Sequence, residues 1–149
     1  MEFTHLDKNG KAKMVDVSSK PKIRRTAKAF GKIFLQQSTL EKIKDSEIIK
    51  GDVLTVAKIA AISAAKRTTD LIPLCHNIAI DSINLDFKLN EDNIEILSEA
   101  VCTDKTGIEM EALTAVSVAA LTIYDMCKAV DKKMVISEVK LLKKTKEKV

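Results

Sequence analysis

The chain has 149 residues, of which 46% are apolar and 31% charged, and we predict a single domain over residues 1–149. No apolar run reaches the roughly 20 residues needed to span a bilayer, and no signal-peptide pattern is present, so we expect a cytoplasmic protein without a membrane segment. The net charge of +4 is uneven: Lys and Arg outnumber Asp and Glu by 12 to 6 in residues 1–50 and by 7 to 3 in residues 129–149, whereas the middle has 6 against 12.

The first 50 residues are predicted to contain one strand and one short helix. Residues 1–13 are polar and include an Asn-Gly pair, which predicts a loose arm or turn. A short extended piece follows over residues 14–17. Apolar residues in 25–36 favour a strand, and a serine then caps a short helix over residues 38–44.

An alanine-rich segment over residues 51–67 is predicted to be a helix that begins after Gly51-Asp52. Its many alanines suit close packing against another element or subunit. The residues that recur at helical spacing are Val56, Ile59, Ala60 and Ser63.

Residues 78–102 carry the pattern of a hairpin. The apolar phase of residues 78–89 reverses at Asp81-Ser82, which predicts a bulge in the first strand. Residues 91–93 form the turn, and apolar residues alternate along residues 94–102 in the second strand.

A long helix over residues 109–130 and a last strand over residues 134–142 complete the pattern, with residues 143–149 as a basic tail. The order strand, helix, hairpin, helix, strand predicts an α+β, ferredoxin-like βαββαβ fold, with an antiparallel sheet packed against helices. The predicted buried stripe of the long helix is Leu113, Val116, Ala120, Tyr124 and Cys127.

Two segments carry groups that could bind an anion. Lys50-Gly51-Asp52 lies at a helix start, where free N–H groups favour negative charge, although an ordinary capped helix has the same spacing. The apolar loop over residues 71–76 ends in Cys75-His76. Imidazole can contact phosphate or transfer protons, but a lone histidine is more often structural.

We expect the three cysteines to be reduced, partly buried thiols, and predict neither a metal nor a cofactor.

The long helix carries acidic groups near both ends. Glu109 and Glu111 open it, where capping alone would explain them, and where a carboxylate could also accept from a guanine edge. Asp125 and Lys128 share a face near its end, either as a surface ion pair or as a coupled acid and base. Fourteen residues separate Glu111 from Asp125, or roughly 21 Å, so one reacting centre would need two subunits or a long ligand.

Six strings resemble the cyclic pyranopterin monophosphate synthase family, and they follow the family's order along nearly the whole chain. They are residues 14–18 (MVDVS), 50–53 (KGDV), 64–68 (AAKRT), 70–76 (DLIPLCH), 105–114 (KTGIEMEALT) and 121–130 (LTIYDMCKAV). The chain departs from the family at Asn77, where proline is usual, and in lacking a Gly-Gly-Lys-Ser-type tail.

The resemblance implies a lyase of molybdenum cofactor biosynthesis. Its substrate would be (8S)-3',8-cyclo-7,8-dihydroguanosine 5'-triphosphate, its products cyclic pyranopterin monophosphate and diphosphate, and its assembly a homohexamer built as a trimer of dimers with sites at the dimer interface. Asp125 and Lys128 would transfer protons. The implied substrate-binding residues are Leu74, Cys75, His76, Met110, Glu111, Lys50, Lys66, Arg25, Asp16, Glu109 and Lys144.

The alternative class is a basic nucleic-acid-binding module of similar fold, supported by the lysine-rich tail. The acidic middle argues against it, and so do the five aromatic residues, which are few for a base-stacking platform. We therefore expect a small-molecule substrate and neither nucleic acid nor a membrane as partner.

Overall fold

A computed structural model describes residues 2–49 and 51–149, and within them four strands and four helices form one antiparallel sheet with a helical layer. The elements are β1 (Ile23–Phe34), α1 (Gln37–Lys44), α2 (Val53–Lys66), α3 (Thr68–Leu71), β2 (Ile80–Leu89), β3 (Asn93–Asp104), α4 (Glu109–Cys127) and β4 (Val135–Glu147). The strand order is β2-β3-β1-β4, with every neighbouring pair antiparallel. The predicted α+β, ferredoxin-like fold is confirmed.

The core lies between one face of the sheet and the helices. In β1 the alternate residues Ala27, Ala29 and Ile33 are fully buried, while the residues between them point to the open face. In β3, Ile94 and Ile96 are buried in the same way. This period of two is what an antiparallel sheet with one covered face requires.

Helix α4 is the centre of the core, because it contacts all four strands of the sheet and also packs against α2. Its length and mean hydropathy match those of a membrane-spanning helix, but more than half of the matching segment is buried inside the domain. Val116, Ala120 and Cys127 are buried as predicted. Tyr124 was wrongly placed in the buried stripe, because it is 39% exposed.

Helix α2 buries mainly small side chains. Val56, Ile59 and Ser63 are exposed, and the helix buries instead a face made of small residues, Val53, Ala57, Ala61, Ala64 and Ala65. Alanines of α4 meet this face, so the two helices approach closely. The prediction that the alanines serve close packing is confirmed.

Two details of the strands bear on the site. The register of β2 against β3 shifts between Ile80 and Ser82, which confirms the predicted bulge. Strand β4 does not end at residue 142 but continues to Glu147, pairing with Arg24 at the far end of β1. The segment predicted as a basic tail is therefore mostly strand. The backbone N–H and C=O groups of β1 are available for pairing as far as Arg24, and an exposed edge strand tolerates lysines.

The N-terminal arm forms a compact turn. The Asp7 side chain accepts hydrogen bonds from the backbone N–H groups of Asn9 and Lys11, and Leu6 forms an isolated β-bridge with Ala12. The segment over residues 4–20, called the arm below, runs beside the start of α4, where five of its residues line a cavity.

Candidate functional site

A cavity of about 300 Å³ lies between the N-terminal arm, the loop after α3 and the start of α4. It brings together five of the predicted site residues, namely Cys75, His76, Glu109, Met110 and Glu111. The other lining residues are Thr4, His5, Val15, Val17, Lys20, Ile78, Thr106 and Gly107.

The turn before α4 aims the first residues of that helix at the cavity. Gly107 has a φ of +105°, a conformation that residues with a side chain rarely adopt. A Cβ atom at this position would also lie 3.4 Å from Cγ1 of Ile78. Glycine therefore permits the chain to turn sharply from β3 into α4 while staying packed against the cavity wall.

Glu111 is a buried carboxyl group at the cavity. Its side chain is 4% exposed and lies in the first turn of α4, beside the fully buried Ala112. Burial raises its pKa to about 7, and the neighbouring charge of Glu109 adds to the rise, while a backbone hydrogen bond opposes it. Glu111 can therefore exchange a proton near neutral pH, as a general acid or base must.

Two lysines lie beside the same cavity: Lys20 is part of its lining, and Lys144 pairs with Glu109. Lys144 of β4 places its Nζ 2.7 Å from Oε2 of Glu109. The pKa of Lys20 is lowered by burial first and then by the positive charges of Arg25, Lys146 and Lys144. A bound anion would lower the repulsion among these cations.

The loop after α3 contributes a histidine and a thiol. Nε2 of His76 lies 2.6 Å from the carbonyl oxygen of Val15, which can only accept, so Nε2 donates and ties the arm to the loop. Burial and then the charge of Glu111 raise the pKa of the Cys75 thiol. Cys75 therefore stays protonated and contacts the cavity as a weakly polar wall rather than as a nucleophile.

The three cysteines are free thiols, as predicted, with Cys102 and Cys127 buried and Cys75 partly so. Burial raises the pKa of both Cys102 and Cys127 to about 11. Over residues 2–49 and 51–149, no group of three or more His, Cys, Asp or Glu side chains is arranged to hold a metal ion.

Two neighbouring cavities hold further predicted residues. Leu74 lines an apolar cavity that shares His5, Cys75 and Met110 with the first one. Lys66 lines another, which shares only Ile78 with the first. Leu74 therefore lines a cavity that adjoins the main one, and Lys66 lines a separate cavity on the other side of Ile78.

Arg25 and Asp16 have structural partners within the chain. Arg25 is 3% exposed and donates from Nε to the carbonyl oxygen of Asp104 and from Nη2 to that of Lys105, which holds the turn before α4. Asp16 accepts from the N–H of Ser18, which lowers its pKa, and its side chain does not line the cavity. Lys50 lies outside the described residues.

Asp125 and Lys128 form an exposed ion pair on the outer face of α4, with 2.8 Å between Oδ1 and Nζ. The hydrogen bond to Asp125 raises the pKa of Lys128. Neither residue lines the cavity, since fourteen helical residues separate Asp125 from Glu111, or roughly 21 Å along the axis. A single chain therefore does not bring the predicted proton-transfer pair to the other site residues.

Sequence reasoning missed the arm as a wall of the site. Thr4 and His5 were not singled out because residues 1–13 were interpreted by their polarity alone, and Lys20 lies between two predicted elements, where no role was assigned. The alternation of Val15 and Val17 was a usable signal, since residues two apart in an extended segment point the same way, and both line the cavity.

Comparison with known proteins gives consistent results. Residues 14–147 match the model of the MoaC family. The chain is 58% identical over 145 residues to the cyclic pyranopterin monophosphate synthase of Peptoclostridium acidaminophilum, covering 97% of this chain and 92% of that protein. Identity to the protein of the same name from Heliobacterium modesticaldum is 55% over 145 residues, covering 96% and 91%. A molybdenum cofactor biosynthesis bifunctional protein from Chlorobaculum tepidum is 54% identical over 145 residues, covering 97% of this chain and 46% of that protein.

Proposed function

This chain belongs to the MoaC family, and from that premise we propose that the cavity beside α4 is part of a cyclic pyranopterin monophosphate synthase site. The chain is a lyase of molybdenum cofactor biosynthesis. It converts (8S)-3',8-cyclo-7,8-dihydroguanosine 5'-triphosphate to cyclic pyranopterin monophosphate with release of diphosphate. The observation that carries the assignment of the site is the meeting of Cys75, His76 and Glu111 in one cavity, although the chain separates them by up to 36 residues.

The cavity offers groups that suit both halves of this substrate. Rearranging a purine-derived ring requires protons to move between nitrogen and carbon, and Glu111 has a pKa of about 7 for that purpose. Closing the cyclic phosphate forms a bond from a hydroxyl oxygen to the α-phosphorus and breaks the bond to the departing diphosphate. Lys20 and Lys144 stand where cationic groups would neutralise the negative charge of these phosphates.

The direct test is incubation of the purified protein with the cyclised GTP intermediate, followed by mass analysis. We expect equal amounts of cyclic pyranopterin monophosphate and diphosphate. Glu111→Gln keeps the size of the side chain but removes its titrating proton, so it should lower turnover by roughly 10²–10⁴-fold. Failure of the wild-type protein to form the product would refute the assignment.

We also propose that the protein is a homohexamer, a trimer of dimers, in which a neighbouring subunit completes each site. Two observations support this. The exposed pair of Asp125 and Lys128 lies about 21 Å from Glu111 within one chain. On the same outer face of α4, Leu121 is 58% exposed and Tyr124 is 39% exposed, an apolar surface suited to covering by another subunit.

Mixed assemblies test the shared site. Glu111→Gln and Asp125→Ala should each be inactive alone. When the two variants are co-expressed in equal amounts, about a quarter of the interface sites would combine an intact Glu111 with an intact Asp125 from another chain. Recovery near that fraction supports the shared site, and no recovery in a correctly sized hexamer would contradict it. Sedimentation gives the number of 16.4 kDa subunits.

The remaining parts of the proposal concern location and partners. We propose that the protein works in the cytoplasm, on a small molecule, without nucleic acid or a membrane. Any DNA binding should be weak and salt-sensitive, at about 10⁻⁴–10⁻⁶ M or weaker at physiological salt, because it would depend on surface lysines alone. A salt-resistant, sub-micromolar DNA complex together with no turnover would favour the nucleic-acid-binding alternative.

A further inference from the structure

The N-terminal arm contributes a side chain to the site that nothing above has used. We propose that His5 is a further substrate-binding residue, whose imidazole accepts a hydrogen bond from an N–H or O–H group of the bound substrate. The inference rests on the proposed function, and it assigns to the arm a role in recognising the substrate.

His5 occupies the junction of two cavities. It lines the main cavity together with Lys20, Glu109 and Glu111, and it also lines the apolar cavity beside Leu74. Among the residues that the structure describes, only His5, Cys75 and Met110 line both cavities. Of these three, His5 alone has a ring nitrogen that can form a strong directional hydrogen bond.

The hydrogen bonding of the ring determines what it can offer. Nδ1 of His5 lies 3.3 Å from the carbonyl oxygen of Lys13. A carbonyl only accepts, so the proton of a neutral imidazole sits on Nδ1, and Nε2 carries the lone pair. Among the described residues Nε2 has no hydrogen-bond partner, so it is available to a ligand.

The arm holds His5 in place through contacts on both sides of it. The N–H of Lys13 donates to the carbonyl oxygen of His5 at 2.7 Å, closing the turn on itself. Further along, the Val15 carbonyl oxygen accepts from His76 at 2.6 Å, which fastens the arm to the loop of the main cavity. These contacts hold the backbone of the arm, and the contact of Nδ1 with Lys13 restrains the ring, so His5 loses less freedom when it binds a ligand.

The chemistry of the two cavities indicates which part of the substrate His5 meets. The flat ring system of a guanine-derived substrate suits the apolar wall of Leu74 and Met110, and its edge carries N–H donors. Ionised phosphates carry no donor, so an accepting Nε2 favours the ring or a sugar hydroxyl over the phosphates. The cations near Glu109 are left for the phosphates.

Three substitutions of His5 test the assignment, with kcat and KM measured separately on the cyclised GTP intermediate. His5→Ala should raise KM about two- to tenfold, the usual effect of losing one neutral hydrogen bond, with kcat little changed. His5→Gln offers an amide oxygen as acceptor and should restore much of the affinity. His5→Lys offers only donors and should not restore it.

Asn9→Ala is the matched control, because Asn9 lies in the same turn but its side chain lines neither cavity. It should leave both constants unchanged. An unchanged KM in His5→Ala, or rescue by Lys but not by Gln, would overturn the inference while the wild-type conversion still supports the proposed function. If the wild type itself forms no product, the proposed function fails, and this inference fails with it.

Discussion

Replacing Glu111 by Gln should remove a pH-dependent cost of folding. The carboxyl group is 4% exposed, and burial raises its pKa from an ordinary 4.5 to about 7. A carboxyl group whose pKa is higher in the folded than in the unfolded state binds its proton more tightly in the folded state. Its contribution to stability is therefore fully present below the unfolded-state pKa of 4.5 and is lost as the pH rises through the folded-state pKa of about 7. At about 1.4 kcal/mol per pH unit, that interval corresponds to roughly 3 kcal/mol.

The assay is urea unfolding of wild type and Glu111→Gln from pH 4 to pH 8, at one fixed protomer concentration because assembly contributes to stability. The pH-dependent part of the difference in unfolding free energy should grow from near zero at pH 4 to about 3 kcal/mol in favour of the variant at pH 8. Glu91→Gln, in the exposed turn between β2 and β3, is the control and should follow the wild-type pH dependence. A difference that stays constant with pH would refute the burial argument.

Three further predictions concern catalysis and packing. Asp125→Ala and Lys128→Ala should each keep the fold and lower turnover by roughly 10²–10⁴-fold. The double variant should be little worse than either single variant, because the effects of residues in one catalytic unit are not additive. Near-normal conversion of the cyclised GTP intermediate would remove the pair from the mechanism. Lys144→Ala removes the cation that pairs with Glu109 at 2.7 Å and should raise KM more than it lowers kcat, and an unchanged KM would contradict a role for this lysine in binding the substrate. Gly107→Ala places a side chain at a φ of +105° and should cost about 1–3 kcal/mol in urea unfolding, and a stability equal to that of wild type would contradict the need for glycine in this turn.

The order of the elements could be predicted from the sequence because it depends on local periodicity. The apolar residues in 25–36 and the helical spacing after residue 109 predicted β1 and α4 to within a few residues, and the phase reversal at Asp81-Ser82 marked the bulge. Residue type and spacing already singled out Asp125 and Lys128, whereas the activity and the substrate came only from residue strings that resemble a known family.

Which face of a helix is buried, and which distant residues meet, depends on the tertiary structure. In α2 the larger residues Val56 and Ile59 are exposed and the alanines are buried, because the neighbouring α4 is lined with alanines and its close approach selects small side chains. His5 and Lys20 have no local signal, and they join the site only because the arm folds back against the start of α4. Local patterns constrain the backbone of each segment, whereas packing and burial, which set the pKa of Glu111, depend on residues far apart in the chain.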